Sequence, residues 1–153
     1  YIQPENLDIT LVLSPLENTI IIIKNNAGDA YLPEWNFNGI GDMITGQGYQ
    51  LKLSQGAELL IVGDKLFPEL TPIELTEGWN LIAYLRENPA NVASVFQTML
   101  DNDNLVIVKD TYGNAYLPEW DFNGIGDMHS GQGYQLKIYT ESTLIYLSND
   151  DEY

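Results

Sequence analysis

The chain has 153 residues, room for one ordinary domain or two small ones. It is 44% hydrophobic and 11% aromatic, a composition that argues against intrinsic disorder. Six Lys and Arg against 22 Asp and Glu leave a formal charge of −16, which repels nucleic-acid backbones and anionic membrane surfaces and excludes them as main partners.

Cysteine is absent, so disulfides, thiolate catalysis and cysteine-ligated metals are excluded. The single histidine, His129, excludes a His-rich metal site within one chain. No window approaches the roughly 18 continuous apolar residues of a membrane helix, the longest aliphatic run being Ile20 to Ile23. Membrane insertion is therefore not expected. Tyr1-Ile2-Gln3-Pro4 does not read as a signal peptide.

In chain order, residues 8–13 (Asp-Ile-Thr-Leu-Val-Leu) are β-branched and read locally as a strand. Residues 20–25 and 30–32 read as strands flanking an Asn26-Ala27-Gly28-Asp29 hairpin turn. A Gly-rich connection leads to strands at 49–53 and 59–62. Residues 64–77, with Pro68 and Pro72, read as a linker or loose edge. A strand at 79–85 follows, entered through a turn at Gly78. Residues 90–100 set Val92, Val95, Phe96, Met99 and Leu100 at helical spacing, with Asn91 as cap. Strands at 105–110 and 115–117 then flank the turn 111–114, and strands at 134–139 and 143–147 close the chain.

The second series repeats the first. Residues 28–53 and 113–138 align at an offset of 85 with 21 of 26 positions identical, which chance does not produce. Pro4 and Asn6 fall on Pro89 and Asn91, which pulls residues 6–14 toward helix. Residues 1–77 and 78–153 each carry 11 acids and 3 bases, so acidity belongs to the repeat rather than to a tail. The expected fold is mainly β with one short helix per repeat, a tandem of duplicated small antiparallel sheet or sandwich-like modules. Module 1 covers 1–72, with its opening strand missing, and module 2 covers 73–153. The other arrangement is one fused body sharing strand 79–85.

The strongest motif, Tyr-Leu-Pro-Glu-Trp at 31–35 and 116–120, runs into Phe-Asn-Gly-Ile-Gly-Asp at 37–42 and 122–127. Leu32, Ile40 and Met43 are interleaved with it, so the loop reads first as a core plug with Trp and Phe inserted beneath the sheet. Its functional reading is a sugar-recognition loop, with Trp35, Tyr49, Trp120 and Tyr134 as candidate binding residues. Gly-Gln-Gly-Tyr matches no nucleotide signature and reads as a turn entering a strand.

Calcium is the ligand ion considered, at most weakly bound, and no cofactor is expected. The shared Asn38 and Asp42, with Asn123 and Asp127, form a modular oxygen set. Asp101 and Asp103 form a second set found in one repeat only. Asx side chains closing their own turns are the competing role for the shared set. No catalytic constellation emerges: Ile44 stands opposite His129, and no carboxylate pair has an indicated glycosidase separation.

Gly78-Trp79-Asn80-Leu81-Ile82, the strand ending in Lys109-Asp110, YLPEWDFNGIGD and GQGYQLK together resemble a repeat module of secreted or surface multidomain proteins of Bacteroidota bacteria. The resemblance spans nearly all of repeat 2, and all of repeat 1 but its first strand. It implies a secreted or cell-surface location and a spacer, stalk or adhesion role, with neighbouring domains, glycans or a cell-surface protein as partners. Its motifs carry no assigned activity. Homo-association through an unpaired edge strand is a further expectation.

Overall fold

β-Branched side chains favour extended backbone, and the two aliphatic runs are interior strands of the two largest sheets. A computed structural model covers residues 1–153 and is mainly β, with short helices and several small antiparallel sheets. Its first half contains β1 (Ile2–Pro4), α1 (Ile9–Val12), β2 (Ile20–Lys24), β3 (Ala30–Leu32), β4 (Phe37–Asn38), β5 (Gln50–Leu53) and β6 (Gly63–Lys65). Next come β7 (Ile73–Leu75), β8 (Gly78–Ala83), β9 (Ala90–Asn91), α2 (Val92–Val95) and α3 (Gln97–Asp101). The rest is β10 (Leu105–Lys109), β11 (Ala115–Leu117), β12 (Phe122–Asn123), β13 (Asp127–Met128), β14 (Gly133–Ile138) and β15 (Ser142–Leu144).

The sheets run β4-β3-β2-β5 and β12-β11-β10-β14-β8. Their registers coincide: Ile23 faces Tyr31 and Leu51, as Val108 faces Tyr116 and Leu136. Even the register break recurs, between Ile20 and Ile22 and between Leu105 and Ile107. The difference is β8, which flanks β14 and has no counterpart beside β5. Accordingly the second unit holds a core of 19 buried residues drawn from 73–146, and the first a core of six drawn from 9–31.

The expected 90–100 helix is broken into α2 and α3, and in the first half α1 leads into a 3-10 turn at Ser14–Leu16. Asn91 caps α2 as expected, accepting from the Ala93 N–H at 3.0 Å, but its equivalent is Asp8, which accepts from the Thr10 N–H at 2.8 Å. Asn6 instead accepts from the Asp8 N–H. The matching of Asn6 with Asn91 is thus corrected: Ile9 donates to the Gly41 carbonyl as Val92 does to Gly126, an offset of 83 rather than 85. Two extra residues lie between Met99 and Asn104, where the other unit goes from Leu16 to Thr19. α3 ends there with Asp103 in left-handed backbone (φ 51°). The Asn104 N–H then reaches back to the Met99 carbonyl at 2.8 Å, which caps the helix.

Two further expectations change. Residues 59–62 form no strand, and the segment 64–77, read as a linker or loose edge, contains β7, which pairs with β15 through Ile73–Leu144 and Leu75–Ser142. The reason is the same for both. A short strand persists only where a partner completes its hydrogen bonds, and residues 57–59, which match β15 at the offset of 85, have no counterpart of β7 alongside.

β8 is bonded on both edges. It pairs with β14 along its whole length, from Gly133–Ala83 to Ile138–Gly78. Its other edge meets the first unit, where the Gly48 N–H donates to the Leu81 carbonyl and the Ala83 N–H to the Gly46 carbonyl, each at 2.9 Å. A Cβ on Gly48 would lie 2.7 Å from the Ile82 carbonyl oxygen, so only glycine permits this approach.

Candidate functional site

Proline fixes the start of a tight turn, and Pro33–Trp35 and Pro118–Trp120 each form one turn of 3-10 helix. Each turn is closed by the following N–H, Asn36 to Pro33 at 2.9 Å and Asp121 to Pro118 at 3.1 Å. Asn36 and Asp121 then adopt left-handed backbone (φ 49° and 48°), a conformation that Asn and Asp tolerate better than other side chains. The chain reverses into β4 or β12, and the indole is left outside.

Trp35 and Trp120 are both 76% exposed, while Phe37 and Phe122 are about half exposed. The core-plug expectation for these rings is therefore wrong. Interleaved apolar residues do face inward, but they are Tyr31, Ile40 and Met43, with Tyr116, Ile125 and Met128 in the second unit. Phe37 and Phe122 lie over Gly39 and Gly124, where a Cβ would come within 3.2 and 3.1 Å of the ring. Each unit thus presents a tip of Glu, Trp, Asx and Phe, all exposed. The Asx after Pro-Glu-Trp was the sequence signal for this outward turn, and hydrophobicity masked it.

Tyr49 and Tyr134 take the opposite position. Tyr134 is buried, and its hydroxyl accepts from the His129 N–H at 2.9 Å and donates to Gln132 at 3.0 Å. The Tyr49 hydroxyl accepts from the Ile44 N–H at 2.8 Å. Burial raises both phenol pKa values. These rings pin the Gly-rich connection to the sheet and are not brought beside Trp35 or Trp120, because strand alternation directs them to the core face.

The oxygen sets are likewise used locally. Asn38 Oδ1 accepts from the Ile40 and Gly41 N–H groups, and Asn123 Oδ1 from those of Ile125 and Gly126. Asp42 and Asp127 bridge to Asp8 and Asn91 through the backbone. Asp101 accepts from the Gln97 amide at 2.7 Å, and Asp103 supplies the left-handed cap. No group of three or more His, Cys, Asp or Glu side chains is gathered where it could hold a metal ion.

Compared with family models, curated proteins and solved structures, the chain matches none.

One cluster escaped the sequence reading. Tyr84 and Tyr146 meet edge to face at 5.3 Å, and their hydroxyls donate to the carbonyls of Asn88 and Ala83. Burial pushes the Tyr84 phenol up to about 12 and Tyr146 well above its ordinary value. Beside them Arg86, only 2% exposed, donates to the carbonyls of Ser148 and Asp151 and lies 4.8 Å from the Tyr153 ring centre. No carboxylate pairs with it, so backbone oxygens and a ring face solvate the guanidinium. The cluster fastens residues 148–153 to the second unit. Its partners are far apart in sequence, so no local motif announced it.

Proposed function

We propose that the chain is a non-catalytic adhesive unit of an extracellular protein, presenting two copies of one aromatic tip to a carbohydrate. The observation that carries this reading is the equal exposure of Trp35 and Trp120 at the ends of conformationally matched turns. A large indole left in water costs apolar hydration, and here the same cost is met twice. A flat exposed ring offers the C–H face of a sugar a stacking surface. Glu34 and Glu119 stand next to it, exposed and able to accept hydroxyl hydrogen bonds.

Duplication fits weak single contacts. Two tips engaging one polymer gain effective concentration and can raise avidity by roughly 10² to 10⁴ without any new type of contact. The acidic surface directs the reading toward neutral or cationic glycans, since anionic ones would be repelled.

The test is a glycan array followed by titration calorimetry on the hits, using the native chain, Trp35→Ala, Trp120→Ala and the double variant. Each single variant is expected to retain weak binding and lose avidity, and the double variant to lose binding. Absence of any glycan hit, or binding untouched in the double variant, overturns the sugar reading and leaves a spacer role.

A further inference from the structure

Unit 2 displays what the matching face of unit 1 lacks. β14 is an interior strand between β10 and β8, whereas β5, its counterpart, is the last strand of its sheet. The sequences of the two strands are nearly the same, Gln-Leu-Lys-Leu against Gln-Leu-Lys-Ile. Their surroundings differ: Leu136 is fully buried, and Leu51 is 44% exposed. Leu144 and Tyr146 are likewise buried, while Leu59 is half-buried and Ile61 exposed. Beside β5 runs an open, mainly apolar groove of about 490 Å³, lined by Tyr49, Leu51, Leu59 and Ile61 among others of unit 1, by Tyr1–Pro4 at and beside β1, and at its unit 2 side by residues 83–85 and 131–133.

In unit 2 the same space is filled by one continuous segment. β7 pairs with β15, the chain turns through Thr76–Gly78, and β8 pairs with β14. The turn is clasped by Asn80, whose side chain accepts from the Thr76 N–H at 3.0 Å and donates to its carbonyl at 2.8 Å. Ile73, Leu75, Ile82 and Tyr84 from this segment enter the core. Unit 1 shows both halves of the deficit: an open β5 edge, and residues 57–62, apolar but for Glu58, that form no strand.

We infer that the unit 1 groove is an acceptor for an extended segment with the pattern of residues 73–85, contributed by a further repeat of this kind. The incoming segment adds one strand to β5 and another to residues 57–59, giving unit 1 the arrangement that unit 2 has. Backbone hydrogen bonds supply the register and alternating apolar side chains supply the fit. Repeats joined in this way form an array in which each body is completed by strands of the repeat type. The inference rests on the internal repeat and is independent of the sugar reading.

The experiment adds a synthetic peptide with the sequence of residues 73–85 to the full chain. Anisotropy of the labelled peptide measures binding, and amide hydrogen exchange locates it. Saturable binding is expected, with new protection at residues 49–53 and 57–62, and a scrambled peptide should not bind. Leu51→Asp, at a position already exposed and so compatible with folding, should weaken binding by at least about tenfold. Three results overturn the inference: no saturable binding, affinity unchanged by Leu51→Asp, or protection changes confined to 133–138, which would mean exchange with β8. Self-association of the peptide-free chain through residues 49–53, read by sedimentation, would assign the groove to a second copy and overturn it too.

Discussion

Asn25 donates its side-chain amide to the Asp29 carboxylate at 2.9 Å across the first hairpin turn, and in the second turn Asn114 donates to Asp110 at 2.7 Å. The same bond is made with amide and carboxylate exchanged between the first and fifth positions of the turn. In both cases the first residue also accepts the backbone N–H of the fifth, at 2.9 and 2.8 Å. The geometry therefore requires one amide and one carboxylate, in either order. Asp110→Ala should cost about 1 kcal/mol in urea unfolding. The exchange Asp110→Asn with Asn114→Asp should return to within about 0.5 kcal/mol of the native chain. An exchanged variant no more stable than Asp110→Ala would refute the equivalence.

Because their rings stand in solvent, Trp35→Ala and Trp120→Ala should each change stability by no more than about 0.5 kcal/mol. Tyr31→Ala, which removes a buried ring from the smaller core, should cost on the order of 3 kcal/mol. Thermal melts of the three variants separate the cases. In the native chain, acrylamide should quench a large part of the tryptophan emission.

Gly48→Ala places a methyl against the Ile82 carbonyl and cannot relax by a side-chain rotation, since both groups are backbone. A loss of roughly 1–3 kcal/mol is expected. Faster hydrogen exchange at the Gly48 and Ala83 amides, with β2–β3 unaffected, would show that the damage is confined to the contact between the units.

Arg86→Ala removes the donor that holds the carbonyls of Ser148 and Asp151. Residues 148–153 should lose exchange protection, and stability should fall by about 2–4 kcal/mol. Arg86→Lys should recover only part of the loss, because an ammonium does not reproduce the planar fork.

Alkali should unfold the chain through its buried phenols. Tyr84 titrates near 12 when folded, against an ordinary value of 10.0, so in this interval the unfolded chain has released a proton that the folded chain retains. Stability is then fully present below about pH 10 and declines as pH rises toward 12. Tyr84→Phe should flatten that decline in a series of denaturant melts at fixed pH.

The hairpins were legible because their signals are local. β-branched runs, a turn ending in Gly–Asx and a short second strand gave β2–β3 and β10–β11 within one residue. The capping role of Asn91 was legible for the same reason. Residues 59–62 and 73–75 were misassigned because their state depends on a distant partner, present for Ile73–Leu75 and lacking for the others. The offset of 83 was hidden by Pro4 and Asn6, which align by letter but not by hydrogen bond. As for the aromatic tips, hydrophobicity says that a tryptophan gains from burial. It does not say whether a left-handed residue one step later will turn the ring away.

The double-edged strand β8 has a mechanical meaning. With Gly46 and Gly48 on one side and Gly133–Ile138 on the other, it acts as a splint laid across the joint between the two halves. Tension along such a molecule would meet a full ladder on the β14 side and only two backbone hydrogen bonds on the other, Gly48 to Leu81 and Ala83 to Gly46. Gly48 lies so close to the Ile82 carbonyl that no side chain fits between them, so at that point the joint is a seam of bare backbone.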